Sequence, residues 1–120
     1  MKTILYLHRR PPKELVNSLE ALQAAVVSSI FEQQVSLLFR DEGVRLLFAD
    51  GLEGAAEEHI ESWKSSIAEA EDYGITRIYA CQASLESRKL QASRLAARVQ
   101  VISEPEQTQL IASQDVVVSD

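Results

Sequence analysis

Short apolar runs alternate along the chain with longer segments in which apolar residues recur every three or four positions. Runs of about five apolar residues are typical of buried strands, and the longer spacing indicates helices. The runs predict five strands, at Thr3–Leu7, Gln34–Phe39, Thr76–Ala80, Val99–Ile102 and Asp115–Val118. The periodic segments predict helices at about Lys13–Phe31, Ala56–Tyr73, Ser84–Ala97 (as one broken helix or two short ones) and Ser103–Ser113.

The helical segments carry core faces and recognisable ends. The first has an apolar stripe made of Leu15, Leu19, Leu22, Val26 and Ile30. In the second, Trp63 falls on the apolar face, which favours a core residue over a partner contact. Gly74 suits the left-handed cap at the end of this helix, and Ser103 with Glu106 forms a capping box at the start of the last one.

Strands and helices alternate strictly, which implies right-handed crossovers and a parallel sheet covered by helices on both faces. We therefore expect a three-layer α/β/α sandwich with a mainly parallel five-stranded sheet. At 120 residues, the chain is the size of one domain, and we predict a single domain over residues 1–120. Apolar residues make up 46% and aromatic residues 6% of the chain, so aliphatic side chains must build the core.

Charge and composition exclude several classes of function. A formal net charge of -6 argues against direct nucleic-acid binding, which needs a clustered basic face. No apolar run is long enough for a membrane span, no signal peptide is evident, and one cysteine makes no intramolecular disulfide. We therefore expect a cytoplasmic protein. Neither a glycine-rich phosphate loop nor a metal-ligand cluster occurs, so we expect no cofactor and no metal.

The best candidate for chemistry is Cys81, directly after the predicted third strand. In open α/β sheets, ligands and reactive groups lie just beyond the carboxyl ends of the strands. A helix start at this position would favour the thiolate, the nucleophilic form of cysteine. The alternative is that Cys81 is a small buried hydrophobic residue.

The first predicted strand ends in His8, Arg9, Arg10, Pro11 and Pro12. This sequence lacks the glycines of a flavodoxin phosphate loop and the acidic pair of a phosphoacceptor receiver domain. We consider His8, Arg9 and Arg10 candidates for contact with an anion or a partner. The two arginines could line the sheet edge near Cys81, or they could be solvated loop residues.

A second candidate surface follows the second strand. Four large apolar residues crowd a short region that contains glycines: Leu46, Leu47, Phe48 and Leu52. A small domain has difficulty burying such a cluster, and exposed apolar patches mark interfaces. The sequence therefore predicts a subunit contact there, and we expect the chain alone to form homo-oligomers or to be poorly soluble.

Several stretches together resemble the TusC/DsrF-like subunit of the bacterial sulfur-relay proteins, the DsrE/DsrF/DsrH-like family. They are residues 8–12, 36–47, 83–88 and 114–118, and the resemblance spans nearly the whole chain. Two positions depart from the family pattern: residues 13–16 replace a glycine-containing stretch, and Lys89 stands where a glycine commonly follows the arginine.

The resemblance implies a DsrE/F-like fold and a cytoplasmic, accessory subunit of a heterohexameric sulfur-relay complex. Its partners would be TusB/DsrH-like and TusD/DsrE-like subunits, passing persulfide sulfur towards 2-thiouridine formation in tRNA or within sulfur oxidation. The TusD/DsrE-like subunit carries the persulfide cysteine, so this chain would be non-catalytic. The alternative is a sulfurtransferase in its own right, with Cys81 as the persulfide carrier. Exposure of Cys81 discriminates between the two.

Overall fold

The computed structural model describes residues 1–31, 33–48, 50–96 and 98–119. Five strands and four α-helices alternate in the predicted order. They are β1 Thr3–His8, α1 Leu15–Ile30, β2 Gln34–Phe39, α2 Glu57–Asp72, β3 Arg77–Cys81, α3 Gln82–Ser87, β4 Val99–Ile102, α4 Glu104–Ser113 and β5 Val116–Ser119. Short 3₁₀ segments lie at Pro12–Glu14, Asp41–Leu47 and Ala92–Arg94.

All five strands are parallel, and their order across the sheet is β4-β3-β2-β1-β5. Side chains alternate between the two faces, so the sheet has two separate apolar surfaces. The larger core contains Tyr6, Leu37 and Ile78 from the strands and the inner faces of α1, α2 and α3. The opposite face carries a smaller core around Leu5 and Leu38, which is covered by α4. The predicted three-layer α/β/α sandwich is confirmed.

The four apolar residues predicted to form an exposed patch are mostly inside the protein. Leu46, Phe48 and Leu52 are 4%, 3% and 4% exposed and belong to the larger core, and Leu47 packs against it. The expectation that they are exposed is therefore wrong. The 3₁₀ segment folds back against α2, and the Trp63 indole N–H donates to the Leu46 carbonyl at 3.2 Å.

The exposed apolar surface lies elsewhere. On α1 the predicted stripe is buried except at its last member, Ile30, which is 52% exposed. Its neighbours Val27 and Phe31 are 53% and 69% exposed. At the sheet edge, Val116, Val117 and Val118 of β5 are between 38% and 40% exposed.

Local signals placed most helix ends correctly. Gly74 has φ of +86° after α2, where a residue without a Cβ avoids strain. The Ser103 hydroxyl and the Glu106 carboxylate form the predicted capping box of α4. The segment predicted at 84–97 is the short α3 followed by a 3₁₀ turn; Ala97 lies outside the described residues. Among the described residues, no helix is long and apolar enough to cross a membrane.

Candidate functional site

The carboxyl ends of the strands bring Cys81 next to the residues that follow β2 and β4. Cys81 is the last residue of β3 and pairs in register with Ile102 at the end of β4. The preceding residue, Ala80, pairs with Phe39, so Arg40 continues β2 beside Cys81. Since side chains alternate along extended backbone, Arg40 and Cys81 lie on the face of the sheet that α4 covers.

The Cys81 thiol is buried under the start of α4. Cys81 is 1% exposed, and its Sγ donates to Glu104 Oε1 at 3.6 Å. The other oxygen of Glu104 lies 3.9 Å from Nη2 of Arg40. The hydrogen bond gives the thiol an acceptor inside the protein. Burial shields the sulfur from other molecules.

The two candidate arginines after β1 are engaged with acidic residues. Arg9 Nε lies 2.8 Å from Asp41 Oδ2, and Arg10 Nη1 lies 2.6 Å from Glu14 Oε1. β1 is two strands away from β3, which corresponds to about 10 Å. Arg40, not Arg9 or Arg10, is thus the arginine adjacent to Cys81 in the strand register.

His8 lies on the opposite face of the sheet from Cys81. It is fully buried and stacks on Phe39, with ring centroids 4.7 Å apart. Trp63 meets both rings edge-on, at 6.1 and 6.2 Å. The aromatic core therefore encloses the imidazole, and the contact of His8 with an anion or a partner stays a prediction.

The turn after β2 is fixed by charge pairs and a backbone contact. Glu42 accepts from Arg45, and its other carboxylate oxygen lies 3.3 Å from Arg88 Nε. The hydrogen bond from Arg45, and to a lesser extent the charges of both arginines, hold the pKa of Glu42 below its ordinary value. The Asp41 N–H donates to Ser84 Oγ at 2.8 Å. These contacts tie the carboxyl edge of β2 to α3.

A surface cleft of about 410 Å³ lies beside this turn. Its walls come from the proline-rich stretch after β1 and the glycine-containing loop before α2, and they include Lys13, Glu42, Arg45, Asp50 and Glu53. Cys81 does not line the cleft. The acidic and basic side chains of the cleft walls are mixed. Within the described residues, no three His, Cys, Asp or Glu side chains are grouped to hold a metal ion.

Two residues of the site were missed from the sequence. Arg40 directly follows β2, and Glu104 lies just beyond the end of β4, after Ser103. The rule that selected Cys81 applies to both, because parallel strands end at one edge of the sheet. What the sequence did not supply was the strand order, which puts β2 and β4 on either side of β3.

Fold and site together define a small parallel α/β domain with a buried cysteine at the carboxyl edge of the sheet. A family model described as the DsrE/DsrF-like family matches residues 2–119, and the chain belongs to that family. The resemblance inferred from the sequence is confirmed.

A curated relative is named the intracellular sulfur oxidation protein DsrF, from Allochromatium vinosum. It is 31% identical over 91 residues, which is 75% of this chain. The match spans 65% of that relative's own length.

Solved structures share the fold. The ychN protein from E. coli superposes with a TM-score of 0.67 over the whole of both chains, at 18% identity. A conserved protein of unknown function from Bacteroides thetaiotaomicron gives a TM-score of 0.69 at 19% identity, covering 99% of this chain and 95% of its own. At this level of identity, the likeness concerns the fold alone.

Proposed function

We propose that this chain is an accessory, non-catalytic subunit of a cytoplasmic sulfur-relay complex, in which partner subunits pass persulfide sulfur between cysteines. The partners would be DsrE-like and DsrH-like chains, and the sulfur would go towards sulfur oxidation or 2-thiouridine formation in tRNA. Membership of the DsrE/DsrF-like family and the name of the DsrF relative support this proposal. That name favours sulfur oxidation over tRNA thiolation.

The observation that carries the accessory role is the state of Cys81. A persulfide carrier must present a thiolate to a donor and then a persulfide to an acceptor, so access and charge both matter. Cys81 is 1% exposed, and its thiol donates to the Glu104 carboxylate. Burial removes access, and the hydrogen bond holds the thiol against Glu104. Both features favour a structural cysteine.

The second candidate is a sulfurtransferase with Cys81 as carrier. In that reaction the Cys81 thiolate attacks the outer sulfur of a donor persulfide. A new S–S bond forms on Cys81, the donor S–S bond breaks, and the donor cysteine leaves as a thiolate. The position of Cys81 at the carboxyl end of β3 favours this role, and Arg40 could balance the sulfur's charge if Glu104 moved away.

Sulfur transfer in the reconstituted complex separates the two roles. The chain is co-purified with DsrE-like and DsrH-like partners, loaded with radiolabelled sulfur from a cysteine desulfurase, and run on a non-reducing gel. Cys81→Ser is the informative variant, because its hydroxyl can still donate to Glu104. We expect the complex to assemble and sulfur flux to fall by less than about tenfold, which corresponds to about 1.4 kcal/mol.

Mutation of the partner's own acceptor cysteine is the control, and it should abolish labelling. Stable label on this chain, together with loss of onward transfer in Cys81→Ser, would instead make the chain a sulfurtransferase. Failure to form any complex with such partners would contradict the accessory role.

A further inference from the structure

The groove between α1 and α2 has an almost uncharged wall on the α1 side and an acidic wall on the α2 side. It has a volume of about 230 Å³ and is lined by Gln23, Val26, Val27, Ile30, Ser66 and Glu69. Val27 and Ile30 are 53% and 52% exposed. We call this surface the α1–α2 groove.

The α1 wall of the groove is almost uncharged. Residues 16, 20, 23, 27 and 30 recur at steps of four and three, so they share one flank of the helix. Three of them are exposed apolar residues, Val16, Val27 and Ile30. Glu20 is the one charged residue of α1, whose sequence is LVNSLEALQAAVVSSI. A helix that is apolar on its outer flank as well as on its inner face is typical of a buried helix.

The α2 wall is acidic. Residues 58, 62, 66, 69 and 73 recur at steps of four and three and form the flank next to α1, as Ser66 and Glu69 show by lining the groove. This flank carries Glu58 and Glu69, and it ends in Tyr73, which is 49% exposed. The whole of α2 contains six acidic residues and one lysine, Lys64. Lys64 falls outside this flank by helical spacing.

We propose that the α1–α2 groove binds an amphipathic basic helix of a different protein. Apolar residues of that helix would pack on Val27 and Ile30, and lysines or arginines along one flank would face Glu69 and Glu58. This matches the general mode in which an amphipathic helix lays its apolar face into a groove between two helices. Opposite charges along one side would also fix the direction of the bound helix.

Charge identifies the occupant as a different protein and not a second copy. The chain has a formal net charge of -6, so two acidic grooves brought together would repel each other. None of the four α-helices described for this chain contains more than one lysine or arginine. A second copy therefore has no basic helix to offer. The inference does not depend on the proposed function, since it uses only the surface of α1 and α2.

Fluorescence anisotropy with a synthetic peptide tests the proposal. The probe is a labelled helical peptide of about 18 residues, or about 27 Å. It has leucines on one face and lysines on the adjoining flank. A second probe carries glutamates in place of the lysines. We expect saturable binding of the lysine peptide to the full chain, and at least about tenfold weaker binding of the glutamate peptide.

Two groove variants and one matched control locate the binding. Val27→Gln combined with Ile30→Gln should weaken binding of the lysine peptide about tenfold, because the apolar anchors are lost. Glu69→Lys should weaken it about fivefold and should improve binding of the glutamate peptide. Glu53→Lys changes the net charge by the same amount as Glu69→Lys, but Glu53 lies in the loop before α2. We expect it to change binding by less than about twofold. Circular dichroism confirms the fold of each variant.

Several results would overturn the proposal. They are no saturable binding of the lysine peptide, equal binding of both peptides, no effect of the Val27 and Ile30 changes, or an equal loss with Glu53→Lys. Self-association of the wild-type chain that disappears in the Val27 and Ile30 variant would assign the groove to a second copy and would overturn it as well. None of these results depends on sulfur transfer, so the proposed function stands or falls separately.

Discussion

The Ser84 hydroxyl accepts a hydrogen bond from the backbone N–H of Asp41 at 2.8 Å, across 43 positions of sequence. It joins the first turn of α3, directly after Cys81, to the turn that follows β2. Asp41 has φ of +54°, a left-handed conformation that costs a non-glycine residue about 1 kcal/mol. A side chain of α3 therefore helps to hold a strained residue next to Arg40.

Ser84→Ala should destabilise the domain by about 1–2 kcal/mol. Ser84 is 7% exposed, and the substitution leaves the part-buried N–H of Asp41 without its acceptor. Urea unfolding followed by circular dichroism measures the change. Ser93→Ala, at an exposed position in the following 3₁₀ turn, is the control and should be within about 0.5 kcal/mol of wild type. Equal stability of both variants would show that the Ser84 contact contributes nothing.

Glu104→Gln should make Cys81 more reactive. The substitution keeps the shape of the side chain and removes the negative charge 3.6 Å from the sulfur, which leaves Arg40 as the nearby charged group. We expect alkylation by iodoacetamide at neutral pH to be at least about fivefold faster than in wild type. Glu20→Gln, on α1, removes the same charge far from Cys81 and should leave the rate unchanged. An unchanged rate in Glu104→Gln would mean that burial alone protects the thiol.

Gly43→Ala should be strongly destabilising, because there is no room for the added Cβ. The backbone conformation at Gly43 is not the cause. A Cβ at Gly43 would lie 2.0 Å from the His8 carbonyl oxygen, so the backbone at the end of β1 would have to move. We expect a loss of about 3 kcal/mol or more. Gly54→Ala provides the contrast: Gly54 has φ of +97° and nothing within 4 Å of its Cβ position. Backbone strain alone should cost about 1 kcal/mol there. Similar losses in thermal unfolding of the two variants would contradict the close approach.

Asp115 should give β5 an acid-sensitive attachment to β1. Its carboxylate accepts from the Thr3 N–H at 2.8 Å and from the Thr3 hydroxyl at 3.1 Å. The backbone N–H, followed by the hydroxyl, lowers the pKa of Asp115 from its ordinary value. A carboxyl whose pKa is lower in the folded state stabilises fully above the unfolded pKa, about 3.9, and this contribution is lost as pH falls through the folded pKa.

The melting temperature of Asp115→Asn should therefore be below that of wild type at pH 7, and the difference should shrink as the pH falls below about 4. Asp72→Asn, at an exposed position of α2, controls for the loss of one negative charge. A difference that stays constant across the acid range would show that the charge of Asp115 does not stabilise the fold.

The sequence predicted the elements well because each carries its own local signal. The β2 bounds Gln34–Phe39 agree with the structure, and the capping box at Ser103 marks the start of α4. The placement of Cys81 at the carboxyl end of β3 is also confirmed. These features depend on spacing within a few residues, which the sequence shows directly.

What the sequence could not supply depends on how distant elements pack. The burial of Leu46 and Phe48 follows from the 3₁₀ segment packing against Trp63, a contact between parts of the chain 17 positions apart. The pairing of Cys81 with Glu104 depends on β4 being the neighbour of β3. Local patterns carry no information on either arrangement, so the candidate site was found at Cys81 but its charged neighbours were not.

The sheet order also sets a sequence of events during synthesis. β5 pairs with β1, and their first contact joins Thr3 to Asp115, 112 positions later. Until α4 has crossed the sheet from β4, β1 has unpaired backbone groups along one side, the kind of edge that recruits strands from other chains. Contacts so distant in sequence form late and slowly. The nascent chain is therefore at risk of mispairing along β1 until β5 has been synthesised and has paired with it.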